Sequence, residues 1–460
     1  MFASARAVLA VLVCLLPPLS SPTRAAAQPA NARARLDSLF TILESNDRTM
    51  GSVTVRKGDR VLYQRSIGFR DSSAAGWVTA DSLTMHRIGS VAKPFTAVMI
   101  YQLIDERRLS LDTKLSRFYP QLPNSDAITI RDLLGHTSGL GDPIQGIDVF
   151  VPLTRDALIH RMATVPIQFP PGTRRRYNNG NFLLLGYIVE SVTGSTYAAE
   201  LERRIVRRAA LRRTRVGGAV TPAHNESRAY YFAEGHWEQQ RDDAIENAGG
   251  AGGLVSTTAD LTRFLTALFR GRLISAASLT EMTRGFVDGA QRSGKGLGPF
   301  EIPGTTKTGF THDGSIGAHT ALMGYVPEDS LSVALTVNGH NYPINRLFFH
   351  VWDILYGRPL VLPSFARVEL PDSIARAHAG VYSAREYGLT ITIRTTDRGI
   401  EGQTEGQDPF QLTYIGQNRY MNARDGILLE LAEPVAGVAP RFTLFQQKLA
   451  IRLTRAASTK

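Results

Sequence analysis

Ser90 and Lys93 stand three residues apart in Ile88-Gly89-Ser90-Val91-Ala92-Lys93, a spacing that puts both side chains on one face of a helix. A serine hydroxyl is a poor nucleophile until a neighbour takes its proton. Lysine can do so only while it is neutral part of the time, which burial and nearby positive charge favour and which arginine cannot achieve. The chain is rich in arginine and has only seven lysines, so a lysine here carries information. Ser90 also precedes an apolar stripe, Phe95, Val98, Met99 and Leu103, that predicts an amphipathic helix. The NH groups and dipole at its N-terminus favour a developing negative charge. Pro94 falls in the first turn, where its missing NH costs little. Nucleophilic acyl transfer is the chemistry these residues suit, although Ser-x-x-Lys by itself is short enough to arise by chance.

The elements that must position these residues lie on both sides of them. Asn31 to Glu44 reads as a helix, with Leu36, Leu39, Phe40 and Leu43 at helical spacing. Val53 to Gly68 alternates apolar and polar residues around Lys57-Gly58-Asp59, the pattern of a β-hairpin. Short helices and Pro/Gly loops fill the middle, from Leu115 to Gln240, and strands return between His319 and Asn338. From Leu370 onward the texture changes to short alternating segments, such as Leu389-Thr390-Ile391-Thr392-Ile393 and Arg441-Phe442-Thr443-Leu444-Phe445. These predict an antiparallel barrel or sandwich. Met1 to Ala27 has Arg6, an apolar run from Ala7 to Leu19 and a small-residue exit, the layout of a secretory signal. The expected division is a signal peptide at 1–27, a catalytic domain at 28–357, a linker at 358–370 and a β domain at 371–460.

Several further motifs follow Ser90 in order. They are Leu109-Ser110-Leu111-Asp112, Ile130 to Leu140 with Gly135-His136-Thr137-Ser138-Gly139, Pro171-Gly172-Thr173, Tyr177-Asn178-Asn179 and Ala251 to Leu261. Together with Arg87 to Thr96 they make the sequence, from Arg35 to Tyr356, resemble the class C β-lactamase, D,D-peptidase and esterase group of penicillin-recognising serine hydrolases. The resemblance implies an α+β fold of the β-lactamase/transpeptidase type: an antiparallel sheet flanked by helices, with an inserted helical lobe. The C-terminal segments resemble the lipocalin-like antiparallel β-barrel often appended to such enzymes. It implies Ser90 as nucleophile, Lys93 and Tyr177 as its acid/base partners, and Asn179 as a ligand for the acyl-side amide and for Lys93. It also implies an oxyanion hole from the NH groups of Ser90 and Ser315.

The third motif of the group is where this sequence departs from the β-lactamases, which carry Lys-Thr-Gly on the strand beside the nucleophile. Lys307-Thr308-Gly309 and His312-Asp313-Gly314 both compete for that place. Gly317, Gly324-Tyr325-Val326-Pro327-Glu328 and Asn338 follow His312 at the spacing of the group, so the resemblance implies His312 as the substrate-binding residue, with Gly314 admitting the substrate backbone. Imidazole is mostly neutral at a pH of about 7 and binds a carboxylate less firmly than an ammonium does. The expected activity is therefore hydrolysis of D-amino-acid peptides or small esters and amides through an acyl-enzyme. A true β-lactamase and a non-catalytic cell-envelope-binding protein are the alternatives.

Composition excludes other classes. The formal charge of +11 becomes +9 when Arg6 and Arg24 leave with the signal, and it is spread along the chain. A solvated basic surface fits this better than a nucleic-acid site. Cys14 is the only cysteine and lies within the signal, so neither a disulfide framework nor a cysteine metal site is expected. No cofactor, no metal and no membrane span after signal cleavage are expected, in a periplasmic or secreted bacterial protein. His340 and His350 lack metal-ligand spacing, and His136 and Ser138 read as parts of a structural turn. Arg174, Arg175 and Arg176 before Tyr177 read as a solvated loop.

Overall fold

The computed structural model describes residues 31–73, 76–288, 291–302, 304–365, 368–396, 399–422, 427–446 and 449–456. The predicted signal, 1–27, lies outside the described residues. A six-stranded antiparallel sheet forms the centre of the catalytic part. Its strands are β1 (Thr49–Lys57), β2 (Arg60–Ile67), β3 (Gly298–Glu301), β4 (Thr308–Ile316), β5 (His319–Val326) and β6 (Leu331–His340), in the spatial order β3-β4-β5-β6-β1-β2. The predicted hairpin is β1–β2, turning at Gly58 with φ +56°, a left-handed conformation that glycine adopts without strain.

Both faces of this sheet are covered, which explains why β5 and β6 read as nearly continuous apolar runs. Alternate residues serve opposite cores. Ala321, Met323 and Tyr325 face the core beneath α2 (Ala92–Asp105), while Leu322 and Val326 face the core beneath α1 (Ala32–Ser45). The stripe Phe95, Val98, Met99 and Leu103 lies in α2, which starts two residues after Ser90 and holds Pro94 in its first turn. This helix is not amphipathic as expected. Every residue from Ala92 to Leu103 is buried, because the sheet and the helical lobe enclose it on all sides. Its polar positions find internal partners: Gln102 Nε2 donates to the Leu273 carbonyl at 2.9 Å.

The C-terminal strands close into an eight-stranded antiparallel barrel that runs from Gly380–Ala384 to Leu449–Arg455. Pairing of Tyr382 with Arg455 seals the first strand to the last, leaving no open edge. Residues at 360, 362 and 365 pack on the same core as Trp352, and Ile415, Met421, Leu428 and Phe445 of the barrel belong to that core too. Arg346 Nε donates to Glu430 at 3.0 Å across this junction. Apolar burial thus joins the barrel to the catalytic part on the face away from Ser90. Among the described residues no helix is long and apolar enough to cross a membrane.

Candidate active site

Ser90 occupies a single 3₁₀ turn, Gly89–Val91, that feeds α2. Gly89 has φ +49°, and a Cβ there would lie 2.7 Å from Ser315 N, so only glycine fits. Opposite it, a Cβ on Gly314 would come within 2.4 Å of Ile88 O and of Ser90 N. The sequence assigned Gly314 to the approach of substrate. The space beside it is instead taken by the backbone of the serine turn, so its missing side chain lets β4 lie against the nucleophile. Ser90 and Ser315 consequently line one cavity of about 400 Å³, together with Tyr177 and Asn179.

Lys93 is fully buried. Its Nζ donates to Ser90 Oγ at 3.0 Å, to Asn179 Oδ1 at 2.9 Å and to the Ala251 carbonyl at 2.8 Å. Two of these acceptors cannot donate, so they hold two amine hydrogens in place. The remaining tetrahedral direction faces Ser90, where an ammonium donates a proton and a neutral amine presents its lone pair. One geometry therefore serves both protonation states.

Tyr177 and Asn179 straddle the start of a helix, α3 (Asn179–Thr193), whose cap is Asn178. The Asn178 Oδ1 accepts from Gly180 N at 2.7 Å, and its Nδ2 donates to the Leu140 carbonyl at 2.6 Å. Tyr177 lines the same cavity as Ser90, and Lys93 Nζ lies 4.7 Å from the Tyr177 ring centre. One edge of the ring opens on the cavity, leaving the residue 42% exposed. Burial of the phenol nevertheless raises its pKa above that of a free tyrosine, and the neighbouring Ser90 hydroxyl offsets only part of this. Tyr177 thus rests as a neutral phenol with a proton to give.

Two residues that the sequence did not place in the site support it. Asp142 Oδ2 accepts from both the N and the Nδ2 of Asn179, each at 3.1 Å, fixing the amide so that its Oδ1 faces Lys93. The sole sequence signal for Asp142 is its position just after the Gly139-Leu140-Gly141 turn. His136, read as part of a structural turn, has φ 59° and ends the helix Ile130–Gly135. Its ring lies 4.6 Å from that of Tyr177, and its Nδ1 accepts from Asn178 N at 3.2 Å. Burial, then the nearby charge of Lys93, holds its pKa far below that of a free imidazole. A neutral ring therefore backs Tyr177. Ser138 is buried and donates to Asn181 Oδ1 at 2.7 Å, away from Ser90.

His312 lies on β4 and lines a second cavity, of about 280 Å³, with Arg175, His136, Tyr177 and Asp313. Its Nδ1 lies 2.6 Å from the Asp313 carbonyl. A carbonyl can only accept, so Nδ1 carries a proton. Lys307 precedes β4 and turns elsewhere: its Nζ donates to both carboxylate oxygens of Asp329 at 2.7 Å. Tyr177 therefore separates the cavity of Ser90 from that of His312, and a third, of about 340 Å³, adjoins it beside Asp142 and Arg176.

A serine at the mouth of a buried helix, bonded to a lysine and flanked by a tyrosine beneath an antiparallel strand, defines the β-lactamase/transpeptidase type of site. The chain belongs to the Beta-lactamase family, whose model matches residues 36–346. Penicillin-binding protein 4* of Bacillus subtilis (strain 168) is 29% identical over 266 residues, which cover 54% of this chain and 58% of that protein. The chain thus spans little more than half the length of this curated relative. The crystal structure of a D-stereospecific amidohydrolase from Streptomyces sp. is 26% identical with a TM-score of 0.59, covering 68% of this chain and 95% of that one. The octameric penicillin-binding protein homologue from Pyrococcus abyssi is 21% identical with a TM-score of 0.65, covering 92% of this chain and 99% of that one. That likeness of fold is too long to stop short of the barrel.

Proposed function

We propose that the protein is a serine hydrolase that acts through an acyl-enzyme on D-amino-acid peptides, amides or small esters. The observation that carries this reading is the bond of Lys93 Nζ to Ser90 Oγ, with Lys93 steered by Asn179 and Ala251 and with Tyr177 beside both in the same cavity. In the neutral form Lys93 takes the Ser90 proton as Oγ bonds to the substrate carbonyl carbon. The charge moves onto the carbonyl oxygen, where the NH groups of Ser90 and Ser315 receive it. Tyr177 gives its phenolic proton to the leaving nitrogen or oxygen and is reprotonated from the Lys93 ammonium. The bond to the leaving group breaks. Water then attacks the acyl-serine, passes a proton to the same pair, and Ser90 departs with it.

The names of the relatives, a penicillin-binding protein and a D-stereospecific amidohydrolase, support a D-configured substrate. An imidazole at His312, where the β-lactamases place an ammonium, supports peptide or ester cleavage over rapid β-lactam hydrolysis. The layout of Met1 to Ala27 supports export to the periplasm or the medium. The test is to expose the mature protein and its Ser90→Ala variant to a fluorescent penicillin and a chromogenic short-chain ester. Labelling and turnover that depend on Ser90 are expected. Neither labelling nor Ser90-dependent turnover would leave a non-catalytic binder, and fast turnover of a chromogenic cephalosporin would make it a β-lactamase.

A further inference from the structure

Of the three cavities beside Tyr177 among the described residues, those that hold Ser90 and His312 divide the substrate. Under the proposed mechanism Tyr177 protonates the leaving group, and the cavity it shares with Arg175 and His312 lies on that side. The larger cavity, holding Ser90, Ser315 and Asn179, is left for the acyl half. Its wall is mixed, with Ile144, Ile147, Val149 and Ile316 beside the polar Asn179, Asn247 and Ser315. Among the described residues that line it, Asp243 is the only one with a carboxylate or a cationic side chain.

Asp243 is held in a form that lacks a cationic partner. Arg87 is near but spends both terminal nitrogens elsewhere: its Nη1 donates to the Asp243 carbonyl at 2.6 Å and its Nη2 to the Gly218 carbonyl at 3.0 Å, while its Nε is buried without a partner. The neighbouring Asp242 takes its own arginine, Arg228, at 3.0 Å. The Asp243 Oδ1 is enclosed and has no hydrogen-bond donor. Gly317 leaves room for the carboxylate, since a Cβ there would stand 3.4 Å from Oδ1 and its φ is +53°. Burial raises the Asp243 pKa; the Gly317 NH and the Arg87 charge work against that, and Asp242 adds to it. A half-buried carboxylate without an ion pair is costly, and part of the cost is recovered when a ligand brings a cation.

We infer that Asp243 selects substrates whose acyl half carries an ammonium group over those whose acyl half carries none. This rests on the proposed acyl-enzyme reading for its orientation. The ammonium has two possible sources, the α-amine of the acyl residue or an amine at the end of its side chain. A substrate with neither amine leaves the half-buried Asp243 carboxylate facing no cation.

Binding and turnover test the inference and the reading separately. Ser90→Ala protein is titrated with D-alaninamide, N-acetyl-D-alaninamide and the amide of N-acetyl-D-lysine, alone and with Asp243→Asn added. One of the two amine-bearing ligands should bind about 10- to 100-fold more tightly than N-acetyl-D-alaninamide, and Asp243→Asn should bring that ratio to about 1. Tighter D-alaninamide identifies the α-amine, and tighter N-acetyl-D-lysinamide the side-chain amine. Equal binding of all three to the Ser90→Ala protein overturns the inference, as does a ratio that survives Asp243→Asn. Turnover of the matching p-nitroanilides by the enzyme with Ser90 intact reports on the hydrolase reading: its loss with the binding preference retained would sink that reading and leave the ammonium site standing.

Discussion

Two lysine–tyrosine pairs in this molecule use the same residue types to opposite ends. Lys93 lies 4.7 Å from the Tyr177 ring centre, and Lys307 lies 5.5 Å from that of Tyr356. Around Lys93 the acceptors are a hydroxyl, an amide oxygen and a backbone carbonyl. Around Lys307 the acceptor is the Asp329 carboxylate, which also takes the Tyr356 hydroxyl. A carboxylate fixes the proton on lysine, whereas neutral acceptors orient the amine and leave the proton free to move. The first pair suits proton transfer and the second suits anchorage of β4 to the helix Ile344–Leu355 that precedes Tyr356. Lys307-Thr308-Gly309 is a familiar string in the wrong electrostatic setting, and the carboxylate decides its fate.

The largest expected break of this contrast is at Lys93. Lys93→Arg keeps a positive charge but cannot accept the Ser90 proton, so acylation by a fluorescent penicillin or an activated ester should fall by about 10⁴-fold or more. Wild-type labelling rates in Lys93→Arg would show that the lysine only shapes the site. Next is Tyr177→Phe, which keeps the ring beside His136 and Lys93 and removes only the hydroxyl. A drop of about 10²- to 10⁴-fold in kcat is expected, larger for amides than for activated esters, because a good leaving group needs less protonation. Equal losses for both substrates would remove Tyr177 from leaving-group chemistry.

A smaller effect is expected at Asp142, which acts through Asn179. Asp142→Ala frees the Asn179 amide to rotate and should slow acylation by about 10-fold, while Asp142→Asn, which still offers an amide oxygen, should recover part of the loss. Identical rates in the two variants would show that the acceptor at this position does not orient Asn179.

The sequence made these groups legible to different degrees, for a physical reason. Ser90 and Lys93 belong to one helix start, so spacing alone related them. Asn179 reaches Lys93 across 86 positions, a tertiary contact that no local pattern encodes and that only the resemblance supplied. The stripe Phe95, Val98, Met99 and Leu103 revealed α2 but not its complete enclosure, because Thr96 and Gln102 are polar and yet buried among internal acceptors. Alternation in Leu389 to Ile393 revealed the C-terminal strands. Closure depends on the pairing of Tyr382 with Arg455, which strand texture leaves open between barrel and sandwich. Asp142 and Asp243 were silent because their meaning lies in where a loop carboxylate points.

The smallest effect on catalysis is expected at Lys307, and it closes the comparison. Lys307→Met keeps the aliphatic stem against Tyr356 and removes the charge that Asp329 holds. Burial alone would raise the Asp329 pKa, but the Lys307 and Tyr356 donors outweigh it and keep the pKa below that of a free carboxylate. A carboxyl group whose pKa is depressed by folding adds stability above its unfolded pKa of about 3.9, and loses it as the pH falls through the lower folded value. At pH 7 the variant should therefore be less stable by about 1–3 kcal/mol, seen as a lower urea midpoint. The gap between variant and wild type should narrow below a pH of about 4, where Asp329 becomes protonated in both. Ester turnover at pH 7 should stay within about 3-fold of wild type, since surface or remote substitutions leave the reacting groups in place. A loss comparable to that of Lys93→Arg would return Lys307 to the active site, and would make Asp329 its partner in catalysis rather than its anchor.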